Sequence, residues 1–262
     1  MPLLARFLRY LRLGLHLVEG LLTVLLVFPF AGVGWRERRA VNWAQRILAI
    51  LGIRHQPRGD IPSPTDGNLL LVANHVSWLD IYLLLAVLPL RFVSKAEVRQ
   101  WPLVGWLAEK TGTLFLERGR RADAARVNRH IGDVLAAGGL VGFFPEGTTS
   151  DGTELKHFHA SLLEPAVLAG STVQPVALRY RRPDGSPSLA PAYTGDISMG
   201  QTLKAMAAEG EIVGEVVFLA PISAAGHNRR ELARLAEEAI RDALGFGTGG
   251  REPGRSSGPP GA

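Results

Sequence analysis

The stretch from residue 69 to residue 80 constrains the fold of this chain more than any other. It opens with an apolar run whose length and limits are typical of a fully buried strand, and the run stops just before His75. Ser77 then has the form of a helix N-cap, with Asp80 three residues later as in a capping box. The sequence therefore predicts a strand, a turn that carries His75, and a helix whose first turn carries Asp80.

This arrangement favours a pair of side chains that can move a proton. A regular helix would point side chains five residues apart in different directions, but a histidine that is still in the turn can fold back onto Asp80. A carboxylate on one ring nitrogen fixes the tautomer and makes the other nitrogen a better base. His75 and Asp80 are thus a candidate base and its orienting carboxylate. Taken alone, the pattern also fits a structural helix start, where an aspartate is favourable without any catalysis.

The composition indicates one catalytic domain with an anionic partner. A chain of 262 residues can bury one good-sized core, and the 47% hydrophobic content is high for a freely soluble protein. The net charge of +5 suits a membrane surface, a phosphorylated substrate or an acidic carrier, whereas no motif points to nucleic acid. The absence of cysteine excludes disulfides, cysteinyl zinc sites and a cysteine acyl-enzyme. His157 and His159 have no acid or further histidine at metal spacing, so no metal site is predicted.

Residues 1–56 are predicted to form a membrane-associated helical segment. The clean apolar run that follows Glu19 is about sixteen residues long, short of the ~20 needed to span a bilayer, and Pro29 would kink it. Residues 35–39 close the run with a tryptophan and three arginines, which is typical of the headgroup level of a membrane. A signal peptide and a single spanning helix are the alternatives. We favour a helical hairpin that enters one leaflet, with its basic flanks on anionic headgroups.

From residue 67 onward, strands alternate with helices, which predicts an α/β domain with a mostly parallel central sheet flanked by helices. We assign this domain to residues 57–245 and expect residues 246–262, rich in Gly, Pro, Ser and Arg, to be a disordered tail. The predicted strands are residues 68–73, 91–94, 112–117, 140–144, 172–179 and 212–219. The predicted helices are residues 77–87, 101–110, 122–137, 161–168, 201–208 and 228–244.

Two predicted strands end in residues suited to holding a polar ligand. One ends at Arg118, where an arginine can bind a phosphate through two parallel hydrogen bonds. The other leads into Glu146, Gly147 and a run of hydroxyl residues, in which the glycine allows a close backbone approach and the hydroxyls supply donors. Together they suit an acceptor that carries hydroxyl groups and a phosphate. Each stretch alone also fits an ordinary surface loop.

A proline interrupts the predicted strand at residues 172–179. Pro175 has no N–H to donate to a sheet, so such a residue is confined to edge strands or bulges. We therefore expect an edge strand here, or a strand that shapes the wall of a pocket.

Four ordered blocks of the sequence resemble the glycerolipid acyltransferases, the family of the 1-acylglycerol-3-phosphate O-acyltransferases. The family pattern N-H-x-S-x-x-D matches residues 74–80, and G-x-x-F-(I/L)-x-R matches residues 112–118. The pattern F-P-E-G-T-R-S matches residues 144–150 except at Thr149, where the family usually has arginine. An apolar V-x-P-V-A strand matches residues 173–177. Four blocks in the family's order and spacing are far more specific than any one of them.

The resemblance implies an acyltransferase fold and a direct transfer reaction. The protein would move a fatty acyl group from acyl-CoA or acyl carrier protein to the sn-2 hydroxyl of 1-acylglycerol-3-phosphate, giving phosphatidic acid, with no cofactor. It would work at the cytoplasmic face of the inner membrane, with His75 as the general base and Asp80 as its orienter. The residues implied to hold the acceptor headgroup are Lys95, Arg118, Glu146, Gly147, Thr148 and Thr149.

Three alternatives stay open from the sequence. Thr149 stands where the family usually has arginine. The site could therefore suit an acceptor without a phosphate, such as a lyso-ornithine lipid, as well as it suits lysophosphatidate. Ser77 could act as a covalent nucleophile, although the N-cap role fits it better. A non-catalytic membrane-surface adaptor could keep the same fold. Such an adaptor is expected to have a broken pair at His75 and Asp80 or a missing acceptor block, and both are intact in this sequence.

Overall fold

An eight-stranded sheet with helices on both faces organises this protein, in a computed structural model that describes residues 3–101, 104–117 and 121–247. The strands are β1 (Ile53–Gly59), β2 (Leu69–Ala73), β3 (Arg91–Lys95), β4 (Leu114–Leu116), β5 (Leu140–Phe143), β6 (Thr172–Arg181), β7 (Ile212–Phe218) and β8 (Ile222–Ser223). The helices are α1 (Leu3–Leu22), α2 (Val33–Leu51), α3 (Asp80–Leu85), α4 (Val104–Lys110), α5 (Arg121–Ala136), α6 (Glu164–Ala169), α7 (Met199–Glu209) and α8 (Arg229–Leu244). All but the first two residues of the predicted tail lie outside the described residues.

The order of the strands confirms the prediction of a mostly parallel sheet. The order is β1-β7-β6-β2-β5-β3-β4, and β8 pairs with β6 beside this path. Five neighbouring strands, from β6 to β4, run parallel, while β7 and β1 run antiparallel to β6. The carboxyl ends of β2, β3, β4 and β5 therefore meet at one edge of the sheet, which is where ligands of parallel sheets bind.

Strand β2 is buried on both faces because it divides two hydrophobic cores. Leu69, Leu71 and Ala73 point into the core that α2, α3 and α7 cover. Leu70 and Val72 point into the opposite core, which α5, α6 and α8 cover. A strand covered on both sides has no polar face, which explains why its sequence is a continuous apolar run rather than an alternating one.

Strand β6 is an interior strand, so the first of the two alternatives for it, an edge strand, was wrong, while a role in a pocket wall stays a prediction. It pairs with β2 on one side, and on the other side first with β8 and then with β7. Pro175 lies opposite Val72, between Val173, which pairs with β8, and Val176, where the pairing with β7 begins. The missing N–H of the proline falls where the antiparallel partner changes, and the sheet tolerates it there.

The N-terminal segment consists of two packed helices. Helix α1 continues as a π-helical turn, Thr23–Val27, before the chain returns along α2. The last turns of α2 pack into the α/β core through Ala44, Leu48 and Leu51. Within the described residues, one helical stretch, Phe7–Val27, is long and apolar enough to cross a membrane. Entry of this hairpin into a bilayer stays a prediction, as does the domain boundary after residue 56.

Candidate active site

The first residue after β2 anchors the chain where it leaves the sheet. Asn74 is buried, and its side-chain Oδ1 accepts from the N–H of Leu178 at 2.7 Å, while its Nδ2 donates to the carbonyl of Leu178 at 3.0 Å. These two bonds replace backbone pairing with β6, so the main chain can turn away without leaving polar groups unpaired. His75 consequently begins its turn from a fixed point at the carboxyl edge of the sheet.

The predicted start of the next helix at Ser77 was wrong, because α3 begins at Asp80. The Asp80 carboxylate reaches back to the backbone N–H groups of Val76 and Ser77, at 2.6 and 2.8 Å. That contact is one half of a capping box. The other half is missing, since Ser77 Oγ accepts from the N–H of Leu79 at 3.3 Å instead. Ser77 is completely buried. Asp80 thus closes the turn that carries His75.

His75 and Asp80 form the pair that the sequence predicts. The Nδ1 atom of His75 lies 2.8 Å from Oδ2 of Asp80. Because an ionised carboxylate can only accept, Nδ1 carries the hydrogen, and Nε2 is the basic atom of the neutral ring. The ring stacks on Phe144 with centroids 3.9 Å apart and planes 7° apart, and the His75 side chain is 19% exposed. The imidazole is therefore held in one orientation and still meets the surface.

Asp80 is fully buried, and donors surround its carboxylate. Oδ2 accepts from the Nδ1 of His75 and from two backbone N–H groups, and Oδ1 accepts from the hydroxyl of Tyr180 at 2.6 Å. A buried charge is costly unless hydrogen bonds compensate it. Four donors aimed at the two oxygens compensate the burial of this carboxylate.

Glu146 lies behind the main chain of His75. It is only 4% exposed, and its two carboxylate oxygens accept the backbone N–H of His75 at 2.7 Å and of Lys156 at 3.1 Å. Burial raises the pKa of Glu146 to about 7, with a smaller contribution from the charge of Asp80, and the two N–H donors oppose that rise. Glu146 thus supports the segment that carries the base, and its predicted contact with a headgroup stays a prediction.

The loop that follows Glu146 lies on the same segment. Gly147 adopts a φ of 68°, a left-handed conformation that glycine adopts without strain, and its N–H donates to Phe144 at 3.0 Å. Thr148 is exposed. The hydroxyl of Thr149 donates to the backbone carbonyl of Tyr193, and the carbonyl of Thr149 accepts from Lys156 Nζ at 2.7 Å. The position where the family pattern has arginine therefore carries an uncharged side chain bonded within the protein.

The other two predicted headgroup residues follow β3 and β4. Lys95 is exposed at the carboxyl end of β3, opposite Leu116 of β4. The parallel pairing puts this end of β3 at the same sheet edge as His75 and Glu146. Arg118 comes two residues after the end of β4 and lies outside the described residues.

Comparisons with known proteins decide the family. Residues 54–179 match the family described as Acyltransferase. The chain is 44% identical to the lyso-ornithine lipid O-acyltransferase of Pseudomonas aeruginosa, over 81% of this chain and 80% of that protein. It is 35% identical to the 1-acyl-sn-glycerol-3-phosphate acyltransferase of Neisseria meningitidis, over 79% of this chain and 80% of that protein. The chain belongs to the glycerolipid acyltransferase family.

A solved structure of this acyltransferase family has the same fold. The 1-acyl-sn-glycerophosphate acyltransferase of Thermotoga maritima superposes with a TM-score of 0.67, covering 93% of this chain and 95% of that chain at 23% identity. This likeness confirms the predicted acyltransferase fold. The relatives above make the protein an acyltransferase of the lysolipid class in lipid synthesis.

Sequence reasoning missed three residues that contact the site of this acyltransferase. Lys156 and Tyr193 bond to Thr149, and Tyr180 bonds to Asp80. For Tyr180 a partial signal exists, since residues at every second position of a strand share a face and Leu178 lies beside Asn74. No local signal identifies the other two, because both come from loops.

Proposed function

We propose that this acyltransferase moves a fatty acyl group directly from a thioester, acyl-CoA or acyl carrier protein, to a hydroxyl of a lysolipid, with His75 as the general base. The observation that carries the proposal is the 2.8 Å contact between His75 Nδ1 and the buried Asp80 carboxylate. That contact leaves Nε2 unprotonated and orients the ring against Phe144. A base held in this way is what an alcohol nucleophile needs near neutral pH.

The proposed steps conserve protons throughout. The Nε2 atom of His75 takes the proton of the lysolipid hydroxyl as its oxygen attacks the thioester carbonyl. Asp80 stabilises the imidazolium that forms. When the tetrahedral intermediate collapses, the carbon–sulfur bond breaks and His75 returns the proton to the departing thiolate. The products are the acylated lipid and a free thiol, and the enzyme ends in its starting state.

Direct transfer is favoured over a covalent acyl-serine. Ser77 is the nearest serine in sequence to the base, but it is fully buried and its Oγ already accepts from Leu79. A nucleophile must reach the substrate carbonyl, and a buried hydroxyl in a turn does not. Trapping of labelled acyl on Ser77 after rapid denaturation would contradict this proposal.

The acceptor that fits best is a lyso-ornithine lipid. Its ornithine headgroup carries a carboxylate and an ammonium, whereas lysophosphatidate carries a phosphate of higher negative charge. The uncharged Thr149 removes one cation from the place where the family usually has arginine. The ammonium of Lys156, bonded to the Thr149 carbonyl at 2.7 Å, is a partner for the single carboxylate. The P. aeruginosa relative named for this acceptor, at 44% identity, supports the choice.

A second candidate acceptor is 1-acylglycerol-3-phosphate, with phosphatidic acid as the product. The relative from N. meningitidis that is named for this reaction is 35% identical. The other three family blocks match without exception, and the resemblance implies that Lys95 and Arg118 contact the phosphate. Either reaction is expected at the cytoplasmic face of the inner membrane, because both thioester donors are cytoplasmic.

Replacing the base tests the reaction itself. We expect His75→Ala to lower turnover by a factor on the order of 10² or more while the protein stays folded, because general base catalysis contributes that much. The control is His159→Ala, which removes an exposed imidazole from the surface. Turnover would be followed with a labelled acyl thioester and detergent-purified protein. Near-normal turnover of the His75 variant would end the proposal.

A competition assay tests the acceptor. Lysophosphatidate and lyso-ornithine lipid would be offered together at equal concentration with one labelled thioester. We expect most of the label in ornithine lipid. Label mainly in phosphatidate would instead assign the second candidate function.

A further inference from the structure

We propose that Tyr180 is a positioning residue that sets the basicity of the His75 and Asp80 pair. The hydroxyl of Tyr180 donates to Oδ1 of Asp80 at 2.6 Å, on the carboxylate oxygen opposite the one that His75 contacts. This inference rests on the proposed role of His75 as the base. It adds a third side chain to the proton-transfer unit, 100 residues away from Asp80 in sequence.

The fold leaves the Tyr180 hydroxyl little freedom. The residue is 5% exposed and belongs to the core that covers one face of the sheet. Its backbone lies in the antiparallel pairing of β6 and β7, opposite Gly214, and its carbonyl accepts from Ser188 at 2.9 Å. The backbone of Tyr180 is fixed in the sheet, so its hydroxyl holds the Asp80 carboxylate in a fixed position. Asp80 is thus fixed by its own turn through Oδ2 and by β6 through Oδ1.

Tyr180 remains a hydrogen-bond donor over the whole working range of pH. Its pKa is well above the ordinary tyrosine value, first because the phenol is buried and next because the negative charge of Asp80 faces it. Two other charged groups lie along the His75 segment. Glu146 accepts from the backbone N–H of His75. Lys156 donates its backbone N–H to Glu146 and its ammonium to the carbonyl of Thr149. These groups bond to other partners, so substituting Tyr180 removes none of the hydrogen bonds named for them.

Loss of the hydroxyl has a predictable effect on the pair. The hydrogen bond from Tyr180 stabilises the negative charge of Asp80 when the ring of His75 is neutral. When this hydrogen bond is removed, the His75 and Asp80 pair binds a proton more readily, whether the proton goes to the imidazole or to the carboxylate. The acid side of the profile of kcat/KM against pH should therefore move upward by about one pH unit.

The first test compares Tyr180→Phe with the wild-type, full-length protein in detergent. We expect kcat to fall about tenfold with the KM for the acyl donor unchanged, and the acid side of the profile to move to higher pH. The matched control is Tyr82→Phe, which removes the hydroxyl of another tyrosine that packs edge-on against Trp78. That control should keep the wild-type profile.

A second variant should shift the acid side of the pH profile in the opposite direction. Replacement of Tyr180 by a fluorinated tyrosine gives a more acidic phenol and a stronger donor, so the acid side of the profile should move to lower pH. Because Glu146 has a pKa of about 7 and accepts the backbone N–H of His75, both variants would also be measured in a Glu146→Gln background. The opposite shifts should persist there.

The outcomes separate this inference from the function on which it rests. If His75→Ala abolishes turnover and both Tyr180 variants keep the wild-type profile, the tyrosine is only structural and the inference is wrong. If Tyr180→Phe loses activity but neither variant shifts the pH profile, the tyrosine is again only structural and the inference is wrong. If His75→Ala remains active, the proposed function fails, whatever the Tyr180 variants do.

Discussion

At the scale of single residues, Thr149 is the position where this chain departs from the family pattern, which usually has arginine there. Its hydroxyl and carbonyl both bond within the protein, so it offers a headgroup no cation. We predict that Thr149→Arg raises acylation of lysophosphatidate relative to lyso-ornithine lipid by about tenfold, because a guanidinium can bind a phosphate through two parallel hydrogen bonds. The measurement is the product ratio in the competition assay.

The control for this prediction adds the same charge elsewhere. Thr65→Arg places an arginine on the exposed loop before β2. It should leave the product ratio at the wild-type value. If Thr149→Arg stays active with an unchanged ratio, acceptor choice is set by other residues.

Glu146 makes the stability of the protein depend on pH. Its pKa is raised from 4.5 to about 7, so between these values the folded protein keeps a proton that the unfolded chain releases. The stability that the protonated group contributes is complete below pH 4.5 and is lost as the pH rises through about 7. Relative to Glu146→Gln, which does not titrate, the wild type should lose roughly 3 kcal/mol of unfolding free energy over this range.

The unfolding midpoints of the two proteins, measured in detergent at about pH 5 and about pH 8, check this prediction. The unfolding midpoint of Glu146→Gln should rise relative to that of the wild type as the pH rises. Parallel pH dependences would mean that Glu146 is ionised in the folded protein throughout, and that its two N–H donors outweigh its burial.

The sequence predicts His75 and Asp80 as a pair because the information is local. A strand end, a turn and a helix start within twelve residues leave few ways to arrange the two side chains. The contact of Glu146 with the His75 backbone spans 71 residues, and that of Tyr180 with Asp80 spans 100. These contacts depend on which strands become neighbours, and no local pattern specifies that.

At the scale of helices and strands, the same division between local and distant information holds. Helix α8 was predicted within a residue, because Asn228 and Glu231 form a capping box at its start and Gly245, with a φ of 77°, ends it. Helix α3 was predicted too long. The bonds from Val76 and Ser77 to the Asp80 carboxylate keep the residues before it in a turn.

Strands β1 and β8 were not predicted, and strand β6 was predicted as a strand whose proline suggested the edge of the sheet. Strand β1 is polar and mostly exposed, and it pairs only with β7 along the described sheet path. An edge strand has no need of an apolar pattern, and its Pro57 is tolerated there. Pro175 made an edge position one of the two alternatives for strand β6, but β8 and β7 pair with it in succession along its second side.

At the scale of the whole molecule, apolar surface is concentrated on the N-terminal helices. The exposed side chains of α1 and its π-helical turn include Leu8, Leu11, Leu15, Leu22 and Leu26. A contiguous apolar surface of this kind on a helix marks a membrane or protein contact. We expect the arginines that follow at residues 36, 38 and 39 to add attraction to anionic headgroups. Apolar burial and charge are thus predicted to act together in membrane binding by this segment.

We predict that Leu15→Glu weakens binding to anionic vesicles by at least tenfold, because a leucine buried in lipid contributes about 1.5–3 kcal/mol and a carboxylate costs more. The matched control is Leu168→Glu, since Leu15 is 61% exposed and Leu168 is 79% exposed on α6, which packs on the opposite face of the sheet. Vesicle flotation after detergent removal measures the bound fraction. The control should float like the wild type. Equal loss in both variants would show that binding follows total charge, and loss only with Leu168→Glu would move the lipid contact to the other face.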